Sequence, residues 1–81
     1  MTNKIYYKNS VGKDLKGIDY SERNRIIAKI EKILSLDPNA GKKLQNSDCR
    51  SLRIGNYRVI YIKVKDGVLI VRIGHRKDVY R

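Results

Sequence analysis

The segment that decides the fold runs from Arg50 to Arg81 and reads RSLRIGNYRVIYIKVKDGVLIVRIGHRKDVYR. Three runs within it, at residues 51–54, 57–65 and 68–73, are rich in Ile, Val and Tyr, which favours β-strands. Gly55-Asn56 separates the first two runs, and Asp66-Gly67, a strong hairpin signal, joins the last two. The sequence therefore predicts three successive strands in this part of the chain.

The first third of the chain predicts one strand and one helix. Residues 5–8, IYYK, fit a short strand. Ser10 is a candidate helix cap, because Val11, Leu15 and Ile18 follow it at helical spacing. Gly17 weakens or ends this helix.

A second helix is predicted directly afterwards. Asp19 and Glu22 have the spacing of a capping box, with Ser21 as a rival cap, and Asp37-Pro38 ends the helix. Its apolar residues form one stripe, which consists of Ile26, Ile27, Ile30, Ile33 and Leu34. Residues 38–48 are polar and predict a loop. The predicted fold class is α+β, in the order β-α-α-β-β-β, with a helical hairpin packed on one face of a small antiparallel-rich sheet.

Charge and size limit the classes of function. A chain of 81 residues predicts one domain, over residues 1–81. It contains 19 Lys and Arg against 8 Asp and Glu, which gives a net charge of +11. Such an imbalance favours an anionic partner, with nucleic acid first, a phospholipid surface second and an acidic protein third. No long apolar run or apolar N-terminal region is present, and the chain has a single Cys, so we expect a cytoplasmic protein.

One face of the predicted sheet is left free by the helices and is expected to be polar. The side chains expected there are Arg53, Arg58, Arg72, Arg76 and Tyr80. Arg58 shares strand parity with Ile60 and Ile62, so alternation alone does not assign its face. Arginine and tyrosine can act on a phosphate without a metal. The acidic residues are scattered, and the sequence predicts neither a metal site nor a cofactor.

LRIGNYRVIY, the Asp66-Gly67 hairpin and IGHRKDVY together resemble the RelE/ParE superfamily of bacterial and archaeal toxins. The resemblance covers nearly the whole chain and implies the fold order given above. It also implies a cytosolic toxin that is wrapped and neutralised by an antitoxin protein. RelE-type members enter the ribosomal A site and cut mRNA there, whereas ParE-type members inhibit DNA gyrase and lack the cleavage residues.

The resemblance implies a site for metal-free RNA cleavage, in which the 2′-hydroxyl attacks its own phosphate. Arg58 matches the arginine that steadies the phosphate, Arg76 the arginine beside the leaving group, and Tyr80 the tyrosine near the C-terminus. Arg53 and Arg50 fall near the basic pair of the family's second strand and are expected to bind RNA. This set of residues favours the RelE type over the ParE type.

The general base is left open by the sequence. Prototype RelE enzymes have lysines where this chain has Arg50 and Arg53, and an arginine does not readily release a proton. Lys42, Lys43 and His75 are the alternatives, and Lys43 and His75 are also candidate RNA contacts. A third reading of the chain, as a non-catalytic nucleic-acid-binding module, needs only the basic sheet.

Overall fold

The structure, a computed structural model, describes residues 3–75. It contains two helices and five strands in the order β1 (Lys4–Tyr7), α1 (Asn9–Lys16), α2 (Tyr20–Leu36), β2 (Lys42–Lys43), β3 (Cys49–Ile54), β4 (Tyr57–Val64) and β5 (Gly67–His75). The predicted α+β class, with a helical hairpin on one sheet face, is confirmed. The two-residue strand β2 was not predicted, since it lies within residues 38–48, where a loop was expected.

The five strands form one mixed sheet in the spatial order β1-β5-β4-β3-β2. Strands β3, β4 and β5 follow one another in antiparallel pairs, as the two turns require. Strand β1 pairs in parallel with the start of β5, with Lys4 beside Gly67. Strand β2 pairs only with Arg50 and Ser51 of β3. The antiparallel pairs form the body of the sheet, and β1 and β2 are its edges.

The hydrophobic core lies between the two helices and one face of this sheet. Tyr61 and Val59 of β4 are fully buried and project to the helix side. The core cluster consists of Val11, Ile18, Ile26, Ile30, Leu34, Leu52, Ile54, Val59, Tyr61, Val68, Ile70 and Ile73. Burying an aliphatic side chain of this size stabilises the fold by about 1.5–3 kcal/mol. The alternate residues of each strand project to the other side, which we call the open face.

The helix ends agree with the sequence at one cap and differ at the other. The carboxylate of Asp19 accepts hydrogen bonds from the backbone N–H and the hydroxyl of Ser21, so the predicted cap of α2 is confirmed. The prediction that Ser10 caps α1 is wrong. Lys8 occupies the cap position without a side-chain hydrogen bond, and Ser10 lies inside the first turn.

A β-bulge changes which face the last residues of β5 occupy. Ile60 pairs with Arg72 while its neighbour Tyr61 pairs with Ile70, so Val71 is an extra residue in β5. An extra residue reverses the alternation beyond it. Ile73 therefore lies in the core together with Ile70, although an unbroken period of two would place them on opposite faces.

The open face is not uniformly polar, and the expectation that it would be is wrong. Tyr6, Leu69 and Ile62 lie side by side across β1, β5 and β4, so one end of this face is apolar. Ile60, next along β4, is only 8% exposed although it is outside the core cluster. Arg53, Arg58 and Arg72 occupy the other end of the face, toward the turn at Gly55.

Tyr61 anchors the connection between α2 and β2. Its buried hydroxyl donates to the carbonyl oxygen of Pro38 at 2.8 Å and accepts from the N–H of Gly41 at 2.9 Å. Residue 41 is also close to the ring, since a Cβ there would lie 2.8 Å from the Tyr61 hydroxyl. Burial raises the pKa of that hydroxyl, so it stays protonated and keeps donating.

The Tyr61→Phe variant is expected to lose about 1–3 kcal/mol of unfolding free energy. Phenylalanine fills the same space but leaves the Pro38 carbonyl and the Gly41 N–H without their partner. Urea unfolding followed by circular dichroism measures the change. Tyr20→Phe is the matched control, because Tyr20 is 70% exposed and should change stability by less than about 0.5 kcal/mol. Equal stability of the two variants would contradict the anchoring role.

Candidate functional site on the basic sheet face

Three arginines meet on the open face, and we call this group the arginine face: Arg53 of β3, Arg58 of β4 and Arg72 of β5. Arg53 and Arg58 are directly paired across neighbouring strands. Arg72 pairs with Ile60, which stands two residues from Arg58 on the same side of β4. Arg72 reaches this side because of the bulge at Val71. Three adjacent strands thus each contribute one guanidinium.

Sheet geometry sets the spacing of these guanidinium groups. Directly opposed side chains such as Arg53 and Arg58 have Cβ atoms about 5 Å apart, and diagonal neighbours such as Arg58 and Arg72 about 7–8 Å. The Arg53 Nε donates to the Gly55 carbonyl oxygen at 3.3 Å, which orients its head group. Like charges placed directly opposite one another repel, and a bound anion would remove that cost. The spacing suits one phosphate held by more than one arginine.

Lys42 lies on the same open face. It pairs with Ser51, whose other neighbour on β4 is Ile60, so all three project to one side. Of the three residues considered as the general base, Lys42 is the one that shares a face with Arg58. Only the unpredicted strand β2 reveals this, since a loop lysine has no assigned face.

The structure places Lys43 and Arg50 away from the arginine face. They pair with each other, and Arg50 also pairs with Tyr61, which puts both on the helix side of the sheet. His75 is on the helix side too, because it pairs with Tyr57. The two rings make an edge-to-face contact with centroids 5.7 Å apart. The predicted RNA contacts therefore divide between the two faces.

A cavity of about 330 Å³ lies where β2, β3 and β4 meet, and we call it the lysine cavity. Its lining residues are Lys43, Asp48, Arg50, Ile62 and Lys63. Three of these carry a positive charge and one a negative charge. Lys63 was not among the candidate site residues identified from the sequence, because none of the motifs includes it.

Arg76 and Tyr80, two of the three predicted catalytic residues, lie outside the described residues, so their positions stay predictions. Within residues 3–75, no three His, Cys, Asp or Glu side chains gather as they would around a metal ion. Neither described helix is long and apolar enough to cross a membrane. The described part of the site thus consists of the arginine face, Lys42 on the same side of the sheet, and the lysine cavity near the short edge strand β2.

A small, strongly basic α+β domain with clustered arginines belongs to the broad class of proteins whose charge favours an anionic partner. Comparison with known proteins narrows this class. Residues 5–80 match the family model described as ParE toxin of type II toxin-antitoxin system, parDE. Comparison with curated protein sequences found no match. The family model spans most of the chain, and the chain belongs to the RelE/ParE superfamily of toxins of type II toxin–antitoxin systems.

Solved structures agree with this assignment. The toxin–antitoxin complex RelBE2 from Mycobacterium tuberculosis matches with a TM-score of 0.83 at 23% identity, over 94% of this chain and 100% of that one. The RelB–RelE complex from Methanococcus jannaschii matches with a TM-score of 0.71 at 28% identity, over 93% and 94%. A free variant of the E. coli toxin RelE matches with a TM-score of 0.77 at 16% identity, over 98% and 90%. The fold is therefore RelE-like.

Proposed function

We propose that this toxin is a ribosome-dependent endoribonuclease of the RelE type, which cuts mRNA in the A site and so inhibits translation in the cytoplasm. The observation that supports it most directly is the arginine face, where Arg53 and Arg58 are directly opposed on the central strands. A paired sheet holds such side chains more precisely than a loop would. Three arginines are gathered at one end of the open face, as expected for a site that acts on a single phosphate.

The proposed reaction breaks one phosphodiester bond. The ribose 2′-oxygen loses its proton and bonds to the adjacent phosphorus, the bond to the 5′-oxygen breaks, and that oxygen takes up a proton. The products are a 2′,3′-cyclic phosphate and a 5′-hydroxyl end. Charge grows on the non-bridging oxygens during the attack, and the planar guanidinium of Arg58 can meet two of them together. By the family resemblance, Arg76 acts beside the leaving group. Tyr80 matches the family's tyrosine near the C-terminus, whose hydroxyl can relay a proton or orient the base.

Lys42 is the residue we propose as the proton acceptor. It is on the open face with Arg58, whereas Lys43 and His75 are on the helix side. A general base must come within hydrogen-bond reach of the proton that it removes. The long, exposed side chain of Lys42 can extend from the sheet edge toward Arg53, its diagonal neighbour.

A cognate antitoxin is the proposed protein partner. The M. tuberculosis and M. jannaschii relatives were both solved as toxin–antitoxin complexes. The net charge of +11 gives this chain a strong attraction for an acidic binding segment. Such a segment would neutralise the toxin by covering the arginines that the substrate needs.

Inhibition of DNA gyrase is the second candidate function. The matching family model favours this function, because that model carries the name of the ParE toxin. A gyrase inhibitor acts by binding protein and has no use for a guanidinium pair spaced to hold one phosphate. The paired arginines therefore favour RNA cleavage.

One experiment separates the two functions. Purified toxin is added to ribosomes programmed with a short mRNA, and the mRNA ends are mapped, with a parallel assay of gyrase supercoiling. We expect a cut in the A-site codon, a 2′,3′-cyclic phosphate at the new end and unaltered gyrase. The same mRNA without ribosomes is the control and should remain intact. Inhibited gyrase with uncut mRNA would overturn the proposal.

A further inference from the structure

We propose that the lysine cavity is a second phosphate-binding site, which holds a backbone phosphate of RNA while a different phosphate lies on the arginine face. This inference rests on the proposed RNA substrate and adds a separate contact to it. It assigns a role to Lys63, to which neither the sequence motifs nor the family resemblance assigns one. It also explains why the predicted RNA contacts are divided between two faces.

The charges around the cavity suit an anion. Lys43, Arg50 and Lys63 provide three positive charges, and Asp48 provides the one negative charge. Among the described residues, ion pairs join Lys4 to Asp66 and Arg25 to Glu22, and neither pair involves the cavity. Within residues 3–75, no acidic side chain therefore forms an ion pair with Lys43, Arg50 or Lys63. Net positive charge in a concave site attracts phosphate.

Arg50 is held in place before any ligand arrives. Its Nη1 donates to the carbonyl oxygen of Gly41 at 2.8 Å. Gly41 is in turn held by the Tyr61 hydroxyl, which accepts a hydrogen bond from its N–H. A guanidinium has five N–H donors, so most of them remain available for a phosphate. Binding then costs little side-chain entropy, which is a general source of affinity.

Lys63 is held in a similar way. Its Nζ donates to the Asn39 Oδ1 at 2.8 Å, and two of its three donors remain available. Asn39 and Gly41 belong to the same connection between α2 and β2. That connection therefore orients two of the three cations, Arg50 and Lys63.

The cavity is too far from the arginine face for one phosphate to reach both. Arg50 and Arg53 are three residues apart on β3, which corresponds to about 10 Å along the strand, and they project to opposite sides. Strand β2 is only two residues long, and its pairing with β3 ends at Ser51. An RNA strand can pass around this short edge and place one phosphate on each side of it.

The test is the salt dependence of RNA binding, measured with a single-stranded oligonucleotide that carries 2′-O-methyl riboses and cannot be cut. Each neutralised phosphate contributes about 0.7 to the slope of log K against log salt. We expect Lys63→Ala to lower that slope by about 0.7 and to weaken binding about fivefold, equally for different base sequences. Lys65→Ala is the matched control, because Lys65 is exposed on the same hairpin but does not line the cavity.

A second variant tests the sign of the charge effect. Asp48→Asn removes the one acidic side chain from the cavity and should tighten binding of the same oligonucleotide about twofold to fivefold. A merely structural role for this loop would not produce opposite effects in Lys63→Ala and Asp48→Asn. Equal slopes for Lys63→Ala and Lys65→Ala, or weaker binding by Asp48→Asn, would overturn the proposal.

A competition experiment tests whether the phosphate bound in the lysine cavity belongs to RNA or is free inorganic phosphate. Inorganic phosphate should compete with the oligonucleotide only at far higher concentration, since it lacks the second contact on the arginine face. Competition at equal concentration would identify a free phosphate as the ligand and overturn the assignment to RNA. The oligonucleotide is never cut, so this binding assay does not depend on cleavage activity. A toxin that cannot cleave mRNA would still show the effect of Lys63→Ala if the phosphate site exists.

Discussion

Replacement of Gly67 by alanine is expected to detach β1 from the sheet and to lower the free energy of unfolding by about 4 kcal/mol. Gly67 pairs with Lys4, and the two backbones are in close approach. A Cβ at residue 67 would lie 2.6 Å from the Lys4 nitrogen and 2.7 Å from its carbonyl carbon, and nearer still to the carbonyl oxygen. Backbone atoms cannot move aside as a flexible side chain would, so the first strand must shift as a whole.

The measurement is urea unfolding followed by circular dichroism, with Gly12→Ala as the matched control. Gly12 lies in α1, and a Cβ there would have no other atom within 4 Å. Alanine is the better helix former, so this variant should gain about 1 kcal/mol. The same chemical change is thus expected to act in opposite directions at the two sites. A Gly67→Ala protein within about 1 kcal/mol of the unmodified one would show that β1 tolerates displacement.

Arg58→Ala is expected to slow the proposed mRNA cleavage by about 100-fold to 1000-fold. That is the usual cost of removing one donor that stabilises charge in a transition state. Arg58→Lys should recover only part of the rate, because an ammonium group cannot contact two oxygens in one plane as a guanidinium does. Single-turnover cleavage of mRNA on programmed ribosomes measures the loss in the chemical step.

The control for this variant is Arg25→Ala. Arg25 is exposed on α2, where it pairs with Glu22, and α2 packs on the sheet face opposite to the one that carries Arg58. Its removal should change the cleavage rate less than about twofold. Thermal unfolding of both variants tests whether the fold is intact. A folded Arg58→Ala toxin that cuts at the normal rate would exclude Arg58 from the site.

The elements with strong local signals were predictable from the sequence. Helix α2 has its Asp19 cap, its isoleucine stripe and a stop at Asp37. Each of these signals depends only on residues that are close together in the sequence. The hairpin at Asp66 likewise follows from turn chemistry. Strand β2 could not be predicted in this way. Two consecutive lysines have no strand pattern, and they become extended because β3 and the anchored Gly41 hold them there.

The faces of the charged residues were less predictable than the strands that carry them. The bulge at Val71 brings Arg72 to the side of Arg58 and puts His75 beside Tyr57. The position of a bulge is determined by the pairing of one strand with its neighbour, so the sequence of β5 alone does not show it. For the same reason, neither the face of Lys42 nor the cavity around Lys63 has a signature in the sequence.

The parallel pairing of β1 with β5 bears on how the protein is made. Lys4 and Gly67 are 63 positions apart, so the first strand must wait for the last before it can pair. At the usual rate of synthesis, this wait lasts roughly 3 to 13 seconds. Contacts so distant in sequence also slow folding itself. In a newly made chain the edge of the sheet beside β5 therefore stays uncovered by β1 until β5 itself has been synthesised, and during that time the exposed edge can pair with another segment.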